Sequence, residues 1–412
     1  MSDRPRDESP DIATSAGLLL PGGKVSEEAL RAALEQAAEA GNEDDEGLRK
    51  VRFELNRDLQ KRLDKYLTDR IGFLSRTQLQ RLIDDGDVTV NGRAPKASTL
   101  LRAKDVVEVV IPAPPPKNVQ PEDIPLDVMY EDDAIIVINK QPDIIVHPAR
   151  THLKGTMLSA LAFHFQNRST LGGDLSRVGH DLARPGVVHR LDRHTSGCIV
   201  FAKRDDAHWK LGHSFEHRRV QKRYLALVHG HFSPDRELID IPIGPHHSRE
   251  KGYREKQVVR YDELGKPATT IVHVRERYTL PGEPLDASNP REPHAGLRYS
   301  LVELDLKTGR THQIRVHLTH TGYPIVGDDM YTGKPYTALL ERRNKDAVPM
   351  LARQALHACT LSFQHPITEA PLAFTAPLRG DIGAVITELR LRGRVEVVDS
   401  PGAEIDLAKA LP

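Results

Sequence analysis

One carboxylate stands alone among cations in the run RPGVVHRLDRHTSGCIVFAKR, residues 184–204. Around Asp192 lie Arg184, Arg190, Arg193, Lys203 and Arg204, with His189 and His194. A surface built only to hold phosphates gains nothing from an acid, because like charges repel. Asp192 therefore has either a structural partner or a reaction to perform, and the surrounding positive charge favours its ionised, nucleophilic form. The structural alternative is a cap on the following turn, or a pair with Arg193.

A second cationic stretch runs from Lys307 to Leu318, KTGRTHQIRVHL, and no acid follows until Asp328. Thr311 is placed to cap a helix, Ile314 and Leu318 share one face, and Gly322 followed by Pro324 stops it. Arg315 then sits one turn in, on a rigid support from which a guanidinium can orient a carboxylate bidentately. Phosphate contacts from a solvated helix face are the alternative. The third run, HRRVQKRY, ends at Tyr224 and opens a strand over Leu225–Val228. Its ring can stack on a nucleobase, worth about 1–3 kcal/mol, or can line a core.

Other chemistries find less support. The chain has 20 His but no HExxH, and its only cysteines are Cys198 and Cys359, so neither a zinc site nor a disulfide scaffold is indicated. Thr195-Ser196-Gly197 lacks the frame of a nucleophile elbow, and no phosphate-binding GxxxxGK[ST] occurs. Cysteine usage fits a reducing, cytoplasmic setting. Leu18–Pro21, the longest apolar patch near the start, is far short of a membrane span of about 20 residues. The formal charge of zero conceals an asymmetry: residues 1–50 hold six Lys and Arg against twelve Asp and Glu, which leaves the remainder basic and suited to a polyanion.

The elements that must position these residues divide 412 residues into several parts. Residues 1–52 read as a disordered acidic arm with one short helical stretch from Ser26. Residues 53–112 read as a small module: Leu59, Leu63, Tyr66 and Leu67 at helical spacing, a second helix from Ser75 with Leu79, Leu82 and Ile83, then Val88–Val90, an Asn91-Gly92 turn and a strand over Asp105–Ile111. The proline run after Ile111 makes 113–124 a stiff linker. Residues 125–385 are strand-rich, with strands at Ala134–Ile138, Gly197–Ala202, Tyr224–Val228 and Tyr299–Leu306 and a proline-bearing insertion at Leu280–Leu297; a helix-like segment follows Gly380, and residues 386–412 read as an acidic tail. The fold class expected is α+β with a mixed, mainly antiparallel central sheet.

Taken together, the motifs resemble one family. His189–Gly197 is similar to the HRLDxxTSG signature of the RluA-type pseudouridine synthases, and Thr308–Arg315 to their TGRTHQIR block. Lys222–Val228 with Gly230 resembles the family's tyrosine-bearing strand, and Asn139-Lys140 through Val146-His147-Pro148 its first motif, although Gln141-Pro142-Asp143-Ile144 replaces the usual Pro-Ala-Gly turn. Residues Leu59–Ile111 resemble the RNA-binding module named after small-subunit ribosomal protein four, with Arg62, Lys65, Arg76 and Arg81 as its cations. The resemblance implies isomerisation of uridine in RNA with no cofactor; structured RNA, foremost large-subunit ribosomal RNA, is the expected substrate, and a monomer is the default state. It implies that Asp192 is the catalytic carboxylate, that Arg315 pairs with it, and that Tyr224 packs on the target uracil. It further implies that Arg190 fills the space of the extruded nucleotide, with His189, Arg193, Thr195, Lys222, Arg223, Arg310 and His312 around the RNA. A non-catalytic ribosome-assembly factor and a histidine-based metal hydrolase are the rival readings.

Overall fold

The computed structural model describes residues 17–30, 32, 48–74, 76–84, 86–112, 119–146, 154–176, 178, 185–248, 256–280, 298–338, 341, 344, 346–378 and 380–411. Residues 113–118 of the expected linker at 113–124, residues 281–297 of the expected insertion at Leu280–Leu297, His147-Pro148 of the first motif and Arg184 lie outside these residues. The chain forms two compact units, residues 1–118 with 148–153, and 119–147 with 154–412.

In the smaller unit, strand β1 (Leu48–Glu54) and strand β2 (Val88–Val90) both pair antiparallel with the central strand β3 (Val106–Pro112). Helix α1 (Leu63–Arg70) buries Leu63, Tyr66 and Leu67, and helix α2 (Arg76–Asp84) buries Leu79, Leu82 and Ile83, the apolar positions that the helical spacing selects. Asn91 and Gly92 both take positive φ, the conformation a tight hairpin turn demands. The arm expected to be disordered as far as residue 52 is partly built into this unit. Leu18, Val25 and Leu30 enter its core, Ser26 Oγ accepts from Ala29 N at 3.1 Å, and β1 turns Val51 and Phe53 inward. A few apolar residues suffice to dock a segment whose average composition is acidic.

The larger unit is a ten-stranded sheet with helices, and its mixed, mainly antiparallel character matches the α+β expectation. Its strands are β4 (Val128–Glu131), β5 (Ile135–Lys140), β6 (Ser196–Ala202), β7 (Gln221–His229), β8 (Arg236–Asp240), β11 (Thr269–Thr279), β12 (Arg298–Leu306), β13 (Leu356–Gln364), β14 (Pro371–Thr375) and β15 (Arg394–Val397), while β9 (Ile243–Pro245) and β10 (Gln257–Val259) form a separate hairpin. The order is β8-β11-β12-β7-β13-β6-β5-β4, with β14 on β13 and β15 on β11. Only β6–β13 is parallel among these pairs. Strands β5 and β6 are buried at every residue, as happens when both faces of a sheet are covered. At Gly197, φ is +114°, and any side chain would collide with the backbone of Ala358 on β13.

Helix α3 (Met157–Asn167) starts at Thr156, whose hydroxyl accepts from Ser159 N at 3.1 Å. Helices α4 (Asp205–Glu216) and α5 (Gln313–His320) flank the cleft described below. The expected tail is a correction: helix α6 (Gly380–Arg392) buries Ile382, Val385, Ile386 and Leu389, β15 joins the sheet, and Ile405 and Ala410 reach the same core. That apolar spacing is itself helical. No helix among the described residues is long and apolar enough to cross a membrane.

Candidate active site

A cleft of about 890 Å³ opens beside β7, lined among others by Asp192, Tyr224, His312 and Arg315. The loop that carries Asp192 is held from beneath. Lys140, fully buried at the end of β5, donates from Nζ to the carbonyls of Gln141, Arg193 and Thr195 at 2.9, 3.0 and 2.8 Å. Thr195 N donates back to Asp192 O at 3.1 Å, and its buried hydroxyl accepts from Gln354 Nε2 at 2.9 Å. Arg353 donates to His194 O at 2.8 Å while its other nitrogens grip Asp381 at 2.6 and 2.9 Å. Asp143 occupies the position of the missing glycine turn with φ +66°, and its carboxylate pairs with His194 Nδ1. An Asp tolerates this left-handed conformation, so the turn survives the substitution.

Arg315 approaches from α5. Its Nε and Nη2 each donate to a separate oxygen of Asp328 at 2.7 Å, which leaves Nη1 to meet Asp192 Oδ2 at 3.2 Å. Burial alone would lower the guanidinium's pKa, but hydrogen bonds and charge from Asp328, with Asp192 adding, hold it above its ordinary value. The arginine is thus a fixed cation with one nitrogen assigned to the cleft. Its guanidinium also lies 4.8 Å over the Tyr331 ring. The helix begins one residue later than the Thr311 cap predicts. His312, at φ 55°, is the boundary residue, and Gln313 Oε1 caps backward by accepting from Arg310 N at 3.0 Å and Thr308 Oγ1 at 2.8 Å.

His312 stands between Asp192 and Tyr331, with Nε2 3.8 Å from Asp192 Oδ2 and Nδ1 2.9 Å from the Tyr331 hydroxyl. Burial lowers its imidazole to about 4, against the opposing pull of Asp192. Tyr224 lines the cleft, and burial first, then the charge of Asp192, pushes its phenol well above the ordinary value. Arg190 and Arg310 are exposed at the cleft. Lys222 is half-buried there, its ammonium 5.6 Å from the Phe215 ring and its pKa lowered by burial.

Four of the residues expected around the RNA differ in their placement. Arg223 turns to the opposite side of β7, where Glu303, Asp305 and Glu404 surround it, because successive side chains of a strand alternate faces. His189 lines the cleft wall, but its Nε2 accepts from Val200 N at 3.0 Å and burial lowers it to about 3. Arg193 is exposed and does not line the cleft. Thr195, as above, is buried in the loop's support. In the smaller unit Arg62 and Arg76 are exposed yet tied to buried Asp64, at 3.0 and 3.2 Å. Lys65 is exposed, and Arg81 lies on α2 with its side chain outside the described residues. Asp328, Tyr331, Gln354 and Arg353 were not foreseen; Asp328 was visible only as the acid ending a cationic run.

Comparison with known proteins follows the same division. The family model for RNA pseudouridylate synthase matches residues 134–320, and that for the S4 domain matches residues 61–107. An uncharacterized RNA pseudouridine synthase of Bacillus subtilis (strain 168) is 38% identical over 332 residues, 81% of this chain and 95% of that one. The chain belongs to the RluA-type RNA pseudouridine synthases. An uncharacterized RNA pseudouridine synthase of Chloroflexus aurantiacus is 41% identical, covering 80% of this chain and 90% of that one. The ribosomal large subunit pseudouridine synthase D of Zymomonas mobilis is 35% identical, covering 81% of this chain and 95% of that relative. The synthase thus carries an S4 RNA-binding domain ahead of its catalytic unit.

Proposed function

We propose that this synthase converts uridines of large-subunit ribosomal RNA to pseudouridine in the cytoplasm, with Asp192 as the central carboxylate and no cofactor. The carrying observation is the incomplete pairing of that carboxylate. One oxygen of Asp192 meets Arg315 at 3.2 Å, and its side chain stays 19% exposed inside a cationic cleft. A purely structural acid would be saturated. The reaction detaches uracil from C1′, turns it, and rejoins it through C5, so it needs no redox partner. Asp192 acts at the sugar, either by attack on C1′ or by assisting loss of the base, while Arg315 keeps it aimed. Tyr224, neutral because its phenol is raised, supplies an apolar ring for the uracil. Arg190, exposed at the cleft, occupies the gap of the flipped nucleotide and offsets the cost of unstacking.

The ribosomal assignment draws on the relative from Zymomonas mobilis, a ribosomal large subunit pseudouridine synthase. The S4 domain gives a second, tethered grip on the RNA, raising local concentration at the cleft. The test pairs chemistry with mapping. Asp192→Asn should lower single-turnover pseudouridine formation by about 10⁴-fold or more while RNA affinity stays within about twofold. Product accumulating at the wild-type rate would remove Asp192 from the role. Pseudouridine mapping in cells lacking the protein should show losses in large-subunit ribosomal RNA, and losses confined to other RNAs would overturn the substrate. Turnover should also survive a chelator, against the metal-hydrolase alternative.

A further inference from the structure

Isomerisation leaves one proton to be moved. The rejoined uracil carries hydrogen on C5 and a C6=N1 double bond; the product has hydrogen on N1 and a C5=C6 double bond. A group in the cleft must therefore take a proton at C5 and supply one at N1. Because C5 has just bonded to C1′, and Asp192 acts at C1′, that group must lie within a few ångströms of Asp192. Among the cleft-lining groups, Arg190 and Arg315 carry no lone pair for a proton. The His189 Nε2 lone pair is occupied by Val200 N, and the raised phenol of Tyr224 holds its proton.

His312 is different, because its surroundings choose its tautomer. The Tyr331 hydroxyl accepts from Gln257 N at 2.9 Å and donates to Gln257 O at 3.2 Å. With that proton directed to Gln257 O, His312 Nδ1 donates to the Tyr331 oxygen and the lone pair falls on Nε2, 3.8 Å from Asp192 Oδ2. We propose that His312 Nε2 takes the C5 proton of the rejoined uracil and returns it to N1.

The inference rests on the reaction proposed above. The C5–H bond breaks and its electron pair forms C5=C6; the C6=N1 π pair moves to N1; Nε2–H forms and is then given up to N1. Nothing is oxidised, and the imidazole ends neutral. Burial supplies the neutral ring at rest, and the adjacent Asp192 carboxylate favours the imidazolium that forms in passing. Nδ1 keeps its bond to Tyr331 throughout, so the ring need not turn between the two transfers.

A base that bears fluorine at C5 has no C5 proton to lose, which separates this step from the earlier ones. Total RNA from cells lacking the protein, grown with or without 5-fluorouracil, serves as substrate for the full chain. Wild type and His312→Asn are compared by nucleoside mass spectrometry in single turnover. The Asn amide still donates toward Tyr331 but offers no group in place of Nε2. Pseudouridine formation should fall about 100-fold or more, while conversion of 5-fluorouridine stays within about threefold of wild type. Tyr331→Phe, which frees the tautomer, should show a smaller loss confined to uridine and a primary isotope effect with uridine deuterated at C5. An equal loss on both RNAs would reduce His312 to a structural role, and undiminished pseudouridine formation would give the proton to another group. Failure of the wild-type chain on both RNAs would instead overturn the proposed reaction itself. Asp192→Asn must fail on both.

Discussion

Asp64 and Asp192 both sit beside arginines, and of the two only Asp192 is left incomplete. Asp64, in the S4 domain, is buried and receives four hydrogen bonds: Arg62 Nε and Nη2 at 3.1 and 3.0 Å, Arg76 Nη2 at 3.2 Å and Lys65 N at 2.9 Å. Asp192 receives one from Arg315, at 3.2 Å, on an oxygen that also faces His312. The difference originates in the partner. Arg62 and Arg76 spend their contacts on Asp64, whereas two nitrogens of Arg315 are engaged by Asp328 before it reaches Asp192. A carboxylate is kept reactive here by satisfying its arginine elsewhere, which preserves the electrostatic aim without closing the pair.

The comparison breaks first at Asp328. Replacing it with Ala should free Arg315 to close on Asp192, as Arg62 closes on Asp64. It should also leave a buried guanidinium undercompensated, costing about 3–5 kcal/mol in denaturant melts and most of the turnover. Lys140→Met strips three carbonyls of their shared donor beneath the Asp192 loop. It should cost about 3 kcal/mol and lower kcat more than it raises KM, read from melts and steady-state kinetics. Asp64→Asn should destabilise the S4 domain by about 1–2 kcal/mol in a domain-resolved unfolding measurement such as hydrogen exchange.

Asp64 also makes an acid prediction. Burial alone would raise its carboxyl, but hydrogen bonds from Arg62, Arg76 and Lys65 N outweigh it and hold the pKa low. The stability from that shift is therefore present in full above the unfolded value near 4, and is lost as pH falls through the depressed native value. Hydrogen exchange at pH 5 and below should show this decline in wild type and not in Asp64→Asn. The smallest effect belongs to Lys65→Glu, on an exposed helix face. It should weaken RNA binding about threefold and flatten its salt dependence while leaving kcat unchanged; an unaltered affinity would remove this face from the RNA interface.

Much of this was readable before any coordinates. The strand read at Val88–Val90 forms as such, those read at Tyr224–Val228 and Tyr299–Leu306 form within slightly longer ones, the apolar stripes of α1 and α2 follow from period, and residue type with isolation singled out Asp192. Pairing Asp192 with Arg315, 123 positions away, needed the resemblance, because no local rule carries a contact that far. Arg223 was misplaced for a physical reason. A run of cations suggests a surface, but the strand's pleat sends Lys222 and Tyr224 to the cleft and Arg223 to the buried Glu303 behind it. Asp328 was invisible as a partner, since it meets Arg315 only through the turn beginning at Gly327, itself at positive φ. The helix after Gly380 was legible from its pattern, whereas terminal position with acidic composition concealed β15 and the reach of Ile405 and Ala410 into the core.

The missing side chain at Gly197 has a mechanical consequence. With β6 seated directly on the Ala358 backbone, the strand that ends the Asp192 loop and strand β13 behave as one part. Even the smallest substituent there would wedge them apart, and the displacement would travel five residues upstream to the reacting oxygen. A methyl group placed at the rear of the sheet could thus misalign the chemistry without touching any atom that performs it.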